Sequence, residues 1–472
     1  MRLREWLFVM IFAAALAAIL ILWLRHPEVM LSSGLPTEHV TLNAQDRVLV
    51  LAPHPDDEVL GCGGVIQQAI AMGLPVHIAF LTYGDFYEFS FLIYRKRPVL
   101  TARGVEGMGE VRHDEAMAAD SVLGVSKERL SFFGYPDFGT LEMFQAAWGN
   151  SPPVKGRLSR ATAVPYANAV RPGAPYKGEE VLKDLTSLVR EFRPTKVLVS
   201  HPADHHPDHR AMYAFTRVCL FDLEKELSPE VYPYLVHYTK WPIPHGYRPD
   251  KPLAPPAPLG KEIPWQIDPL DSAITGVKRA ALEKHRTQYE TTPRFLSAFV
   301  RSNELFGDFP DVRLDANTPS LSTSENTLGN AASDGIVEQE RAFLIGIVKR
   351  TIKIENGALV VSLDLTHPLA REVGLSVYLF GYRSDRPFAE MPKLHVELGA
   401  LEHRVYDQRR EIPWGQIGVT RSERHIEIRV PLAMLGDPQR ILTAAKTYAG
   451  DVPLDWAAWR ILDVRDVPAA KP

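Results

Sequence analysis

The sequence predicts an α/β protein, a mostly parallel sheet with helices on both faces, followed by a smaller β-rich domain. Three observations carry that expectation. From about residue 45 to 215, short apolar runs alternate with amphipathic helical stretches, the pattern of βαβ units. The polar clusters of this region (His54 to Glu58, Thr82 to Asp85, Pro136-Asp137, and from His201 onward) each follow an apolar run. In parallel sheets ligands bind beyond the carboxyl ends of the strands. After residue 336 the chain consists of β-rich segments separated by turn signals.

The N-terminus comes first. "MRLREWLFVMIFAAALAAILILWLRHPEV" holds an uncharged stretch from Trp6 to Leu24, about 28 Å long as a helix and so matched to a bilayer core. Trp6 and Trp23 sit near its ends, where interfacial tryptophans are favoured. No small-x-small cleavage site follows Leu24, so the segment reads as an uncleaved transmembrane signal anchor. Arg2 and Arg4 against Arg25 give a weak positive-inside bias, which places the bulk of the chain outside the cytoplasm as a single-pass membrane protein.

The α/β region follows a tether. "RVLVLAP" is a strand, "GGVIQQAIAMG" a helix, "PVHIAFLTYGD" a strand and "GEVRHDEAMAADSVLGV" a helix closed by Gly124. "RLSFFGYPD", "GEEVLKDLTSLVREFRP" and "KVLVSHP" continue as strand, helix and strand, a Rossmann-like succession. Residues 142–178, rich in Pro, Gly and aromatics, are expected as an inserted loop region near the site. The proline-dense stretch 242–265 cannot be a regular element. A helix in "AITGVKRAALEKHRTQYE" closes the domain, and 311–335 lacks apolar periodicity and reads as a linker. Then "GALVVSLDL", "GLSVYLFGY", "PKLHVELG", "RHIEIRVPLAML" and "DWAAWRILDV" suggest a β-sandwich-like domain. The division is an anchor over 1–27, a tether over 28–44, the α/β domain over 45–310, the linker over 311–335 and the β domain over 336–472.

Composition narrows the chemistry. With 472 residues, 23% of them charged, a net charge of −4 and no basic run, the chain has no footprint for a nucleic-acid partner. Its two cysteines, Cys62 and Cys219, exclude a disulfide framework and a Cys-based zinc ribbon, and read as buried thiols.

The chemistry sits in two clusters. "APHPDDEVLG" places His54, Asp56, Asp57 and Glu58 directly after the first strand, and "HPADHHPDHR" places His206, Asp208 and His209 after a later one. Such groups are expensive to desolvate unless something pairs with them. Imidazole and carboxylate ligands arriving from two strand ends suit a divalent cation with a position left for water. Either cluster alone also fits a solvated turn or a helix cap.

Together, "PHPDDE" and "HPADHHPDH" resemble the PIG-L/LmbE-like family of zinc-dependent N-acetylglucosaminyl deacetylases. The resemblance covers roughly residues 45–308, with "LTYGD", "GEVRHDEAMAADSVLG", "YPD" and "KRAALEKHRTQYE" in support. It implies that His54, Asp57 and His209 bind Zn2+, that Asp56 is the general base, and that His206, oriented by Asp208, stabilises the oxyanion or protonates the leaving amine. It further implies that Arg112 and Asp137 contact the sugar, and that the substrate is an N-acetylated amino sugar in a glycan or glycoconjugate. Glu58 reads as a structural partner and Asp204 as a partner of a ligand imidazole, while His201 and His205 receive no role. Two alternatives stay open: a noncatalytic glycan-binding or assembly scaffold, and hydrolysis of a different amide. Trp456 and Trp459 read as core of a buried terminal strand rather than a sugar-binding face.

Overall fold

The computed structural model describes residues 34–86, 101–314, 321–323, 344–413, 415–450 and 452–464. Its first region is mixed α/β. Five strands run parallel, Leu130–Tyr135, Val76–Thr82, Val48–Ala52, Lys196–Ser200 and Glu230–Tyr234 in spatial order. Numbered along the chain, that order is 3-2-1-4-5, so the connections reverse direction between the first strand and the fourth. The sheet continues through the antiparallel Asn303–Phe306 and Gln266–Pro269, with Glu38–His39 at its edge. The two central strands, VLVLA and KVLVS, are buried along their whole length, which is why they read as continuous apolar runs instead of alternating ones.

The helices Asp57–Ala71, Ala102–Leu123 and Ser272–Leu282 pack on one another, and Thr140–Ala146, Gly178–Phe192 and Pro207–Asp222 form a second group. Right-handed crossovers on either side of the reversal place the groups on opposite faces. Gly124 ends the second helix as expected, with φ 89° and its amide on the Asp120 and Ser121 carbonyls, a left-handed cap that suits glycine.

The expected single-pass membrane protein with an extracytoplasmic catalytic domain is corrected. Among the described residues no helix is long and apolar enough to cross a membrane. The longest, Ala102–Leu123, carries Arg103, Glu106, Glu110, Arg112, Asp114 and Glu115, too many charges for a bilayer core. The stretch 6–24 on which the expectation rested lies outside the described residues.

The C-terminal region is separate and β-rich. A five-stranded sheet (Leu321–Thr323, Ile347–Glu355, Ala358–Leu365, His425–Pro431, Gly418–Ser422) accompanies a seven-stranded one that includes Val373–Tyr382, Lys393–Leu398, Arg440–Ala449 and Val452–Asp463. Leu359, Val361, Leu363 and Ile428 of the first sheet share a core with Leu375, Val377, Leu379 and Val396 of the second. Val312–Arg313 and Leu321–Thr323, inside the stretch expected as a linker, add to these sheets as short strands.

Alternation along Val373–Tyr382 explains how the region is attached. Leu375, Val377 and Leu379 face that inner core, whereas Tyr378, Phe380 and Tyr382 join the core of the α/β region, as the two-residue side-chain period dictates. Phe380 and Trp459 pack on Phe144, and Phe388 on Trp148. Trp456 and Trp459 are three apart, which in a regular strand would point them to opposite faces. A bulge pairs Thr443 with Arg460 but Ala445 with Ala457, and the inserted residue turns both indoles toward the α/β region.

Candidate metal and hydrolytic centre

The two sequence clusters meet where the connections of the sheet reverse. Val48–Ala52 delivers His54 to Glu58, and the adjacent Lys196–Ser200 delivers His201 to His209. Between strand and helix, Asp56 adopts φ 131°, a conformation that costs a non-glycine residue about 1–3 kcal/mol. Its surroundings fix it. The Asp56 amide donates to Glu58 Oε2 at 2.9 Å, and its carbonyl accepts the Leu60 amide at 2.9 Å. Glu58 Oε1 in turn lies 2.9 Å from His285 Nε2, with both side chains buried.

Three ligand-type atoms converge. His54 Nδ1 is 3.1 Å from Asp57 Oδ2, His209 Nε2 is 3.0 Å from the same oxygen, and the two nitrogens are 3.3 Å apart. Three tetrahedral ligands at the ~2.0–2.1 Å of zinc bonds stand roughly 3.3 Å from one another, so the donors present fit such an ion. Asp57 Oδ1 is buried without a hydrogen-bond partner among the described residues, and an uncompensated buried carboxylate oxygen is costly. The cluster offers three further sets of donors, His54 with His206 and His209, His54 with Asp137, His206 and Asp208, and Asp57 with His209 and His237.

Around these atoms the carboxylates set the charge. Burial opposes ionisation of the His54 imidazole, but Asp137, Asp208 and Asp57 hold its pKa well above the ordinary value. The same competition, with Asp204 and Asp57 as partners, brings His209 up to about 9. Burial pushes the Asp56 carboxyl up to about 7, with Arg112 opposing and Asp57 reinforcing. That is the range in which a carboxylate serves as a base near neutral pH. Asp204 lies 3.1 Å from His209 Nδ1 and accepts the amides of His206, Val236 and His237, which fixes the ring from behind.

Other expected site residues take different places. Arg112 is 4% exposed; it donates to the Gly84 and Pro55 carbonyls at 2.8 and 2.6 Å and lies 3.5 Å from Asp56. Gly84, at φ 64°, leaves room for this guanidinium where any Cβ would collide. Asp137 approaches His54 Nε2 at 3.2 Å and accepts the Phe86 amide at 2.9 Å. Asp208 is closer to His54 Nε2, at 3.3 Å, than to His206 Nδ1, at 3.9 Å, and accepts the Phe138 and Thr140 amides. The His206 ring stands edge-on to those of His54 and Phe138. Cys62 and Cys219 are buried free thiols.

Two participants were not singled out as site residues in the sequence. His237, whose ring is 4.9 Å from that of His209, follows the fifth parallel strand, and the rule that sites lie at strand ends would have found it. His285, within "KRAALEKHRTQYE", reaches Glu58 across 227 residues of sequence, and no spacing rule marks that pairing.

Fold and cluster thus define an α/β protein with a His and carboxylate centre at the reversal of a parallel sheet. Residues 49–220 form a PIG-L family domain, matching the family described as "PIG-L: GlcNAc-PI de-N-acetylase". The chain is similar to the 1D-myo-inositol 2-acetamido-2-deoxy-alpha-D-glucopyranoside deacetylase of Rhodococcus jostii, 25% identical over 269 residues, 53% of this chain and 84% of that protein. It is 33% identical over 173 residues to the corresponding deacetylase 1 of Saccharopolyspora erythraea, 36% of this chain and 52%, about half, of that relative. Among solved structures, N,N'-diacetylchitobiose deacetylase from Pyrococcus horikoshii aligns with a TM-score of 0.34 and 21% identity, covering 55% of this chain and 82% of that one.

Proposed function

We propose that the protein is a metal-dependent N-deacetylase, a hydrolase that releases acetate from a GlcNAc-type amino sugar in a glycan or glycoconjugate. The observation that carries this reading is the triangle of His54 Nδ1, Asp57 Oδ2 and His209 Nε2, with edges of 3.0–3.3 Å, next to Asp56. These three residues would hold the ion, and zinc suits their imidazole and carboxylate donors. A bound ion supplies Lewis acidity to the amide carbonyl and to water.

The chain's own residues supply the proton chemistry. Asp56, held beside the ligands by Glu58 and Arg112, takes the proton of the attacking water. His206, whose ring centroid lies 4.5 Å from that of His54, stabilises the developing oxyanion or protonates the departing amine. Asp208 and Asp137 orient His54, and Arg112 fixes the loops that carry Asp56 and Gly84. The names of the relatives support the amino-sugar class. The division into an α/β domain over 45–310 and a β domain over 336–472 belongs to the same proposal.

The test is acetate release from N-acetylglucosamine oligosaccharides by the intact protein and by Asp56→Asn. The reading expects release that falls at least about 100-fold in the variant; equal release by both would remove Asp56 as the base.

A further inference from the structure

Between the PIG-L domain and the seven-stranded sheet lies a cleft of about 460 Å3, within the ~300–1,000 Å3 of small-molecule sites. One wall comes from the α/β region and includes Phe138, Arg157, His205 and Arg210; the other comes from the C-terminal sheet and includes Lys446 and Trp456. The cleft adjoins the metal centre. The Phe138 amide donates to Asp208 at 2.6 Å, its ring stands 4.2 Å from that of His206, and Arg210 follows His209 in sequence.

The wall is cationic. Arg157, Arg210 and Lys446 line it against one carboxylate, Glu142, which is itself paired with Arg409 at 2.9 Å. Arg210 differs from Arg440, Arg460 and Lys393, three other cations between the two regions. Arg440 pairs with Glu224 and Arg460 with Glu262, and Lys393 donates to the Phe388 and Met391 carbonyls. Arg210 forms no ion pair or side-chain hydrogen bond among the described residues, and its Nε is buried without a partner. Its guanidinium lies 4.5 Å from the Trp456 ring centroid, and that indole is braced edge-on by His205. A guanidinium fixed on an aromatic face, with its donors unused, is preorganised for an anion.

We infer that this cleft is a second substrate subsite, in which Arg210 and Lys446 bind an anionic group, carboxylate or phosphate, on the part of the glycan beyond the amino sugar. The inference rests on the amino-sugar reading of the adjacent centre. The bulge in Val452–Asp463 has a use in this arrangement, because it brings Trp456 to the cleft while Trp459 packs on Phe144. The C-terminal region thereby selects the substrate.

The experiment measures binding to the intact protein at low salt, by calorimetry, of three probes: a glucuronosyl-N-acetylglucosamine disaccharide, N-acetylglucosamine 1-phosphate and neutral N,N'-diacetylchitobiose. Acetate release is followed in the same samples. At least one anionic probe is expected to bind about tenfold tighter than chitobiose, with a preference that weakens as salt rises. Whichever anion binds better identifies the group as carboxylate or phosphate. Arg210→Gln and Lys446→Gln, made separately so that a folding defect in one leaves the other informative, are each expected to reduce the preference to within about twofold. Equal affinity for charged and neutral probes, or a preference unchanged in both variants, overturns the subsite. A retained charge preference without acetate release from any probe overturns the deacetylase reading and leaves the subsite standing. Acetate release without a charge preference does the reverse.

Discussion

Glu58 joins Asp56 to His285: one carboxylate oxygen accepts the Asp56 amide at 2.9 Å, and the other lies 2.9 Å from the His285 imidazole. Both side chains of the Glu58–His285 pair are buried, so the turn that carries the proposed base is anchored from a segment 227 residues away. Glu58 is therefore a positioning residue for Asp56.

Removing one member of a buried pair leaves the other uncompensated, at about 3–5 kcal/mol. Glu58→Ala is expected to lose stability in that range, read by denaturant unfolding, and to lose acetate release with it. His285→Gln, which keeps a hydrogen-bonding group near Glu58, is expected to retain more of both.

Asp56→Asn removes the proposed base while leaving His54, Asp57 and His209 in place. Its acetate release is expected to fall about 100- to 10,000-fold, with metal content unchanged by elemental analysis.

A second buried pair ties the helix Asp57–Ala71 to the strand Asn303–Phe306 and the helix Ser272–Leu282. Glu304 accepts the Gly64 and Val65 amides at 2.7 and 3.0 Å and pairs with Lys278 at 2.5 Å, both residues being buried. Lys278→Met alone is expected to cost about 3–5 kcal/mol, and Lys278→Met with Glu304→Gln to recover part of it. Unfolding midpoints of the two variants check this.

Acid should weaken the fold through histidines remote from the site. Burial pushes His77 down to about 4 and His395 down to about 3, with Arg129 and Lys446 respectively adding to the effect. Both are neutral in the folded chain at pH 6, whereas an unfolded histidine protonates near 6.5. The unfolded state thus binds more protons below pH 6.5. Stability is full above that value and falls as pH drops towards 4, by about 1.4 kcal/mol per pH unit for each such group. His395→Gln is expected to flatten the measured slope by about one such increment.

What the sequence made legible was local. His54 to Glu58 and His206 to His209 stood out because each follows an apolar run that had to be a buried strand, and the ends of adjacent parallel strands are neighbours. His285, Lys278 and Glu304 were not legible as partners, because their pairings span long stretches of chain and follow no spacing rule. The bonds of Arg112 to the Pro55 and Gly84 carbonyls were illegible for a similar reason, because a motif does not reveal backbone partners. Trp456 and Trp459 read as residues of a buried strand, and both are at most 3% exposed. That they share a face depends on a bulge, which no alternation in "DWAAWRILDV" announces.

The central claim, a catalytic metal held by His54, Asp57 and His209, is tested most directly by metal content and acetate release measured together on the intact protein and on His54→Ala. Stoichiometric metal with acetate release from N-acetylglucosamine oligosaccharides, both lost in a folded His54→Ala, is the predicted result. Full acetate release by a metal-free protein, or by His54→Ala, would contradict it.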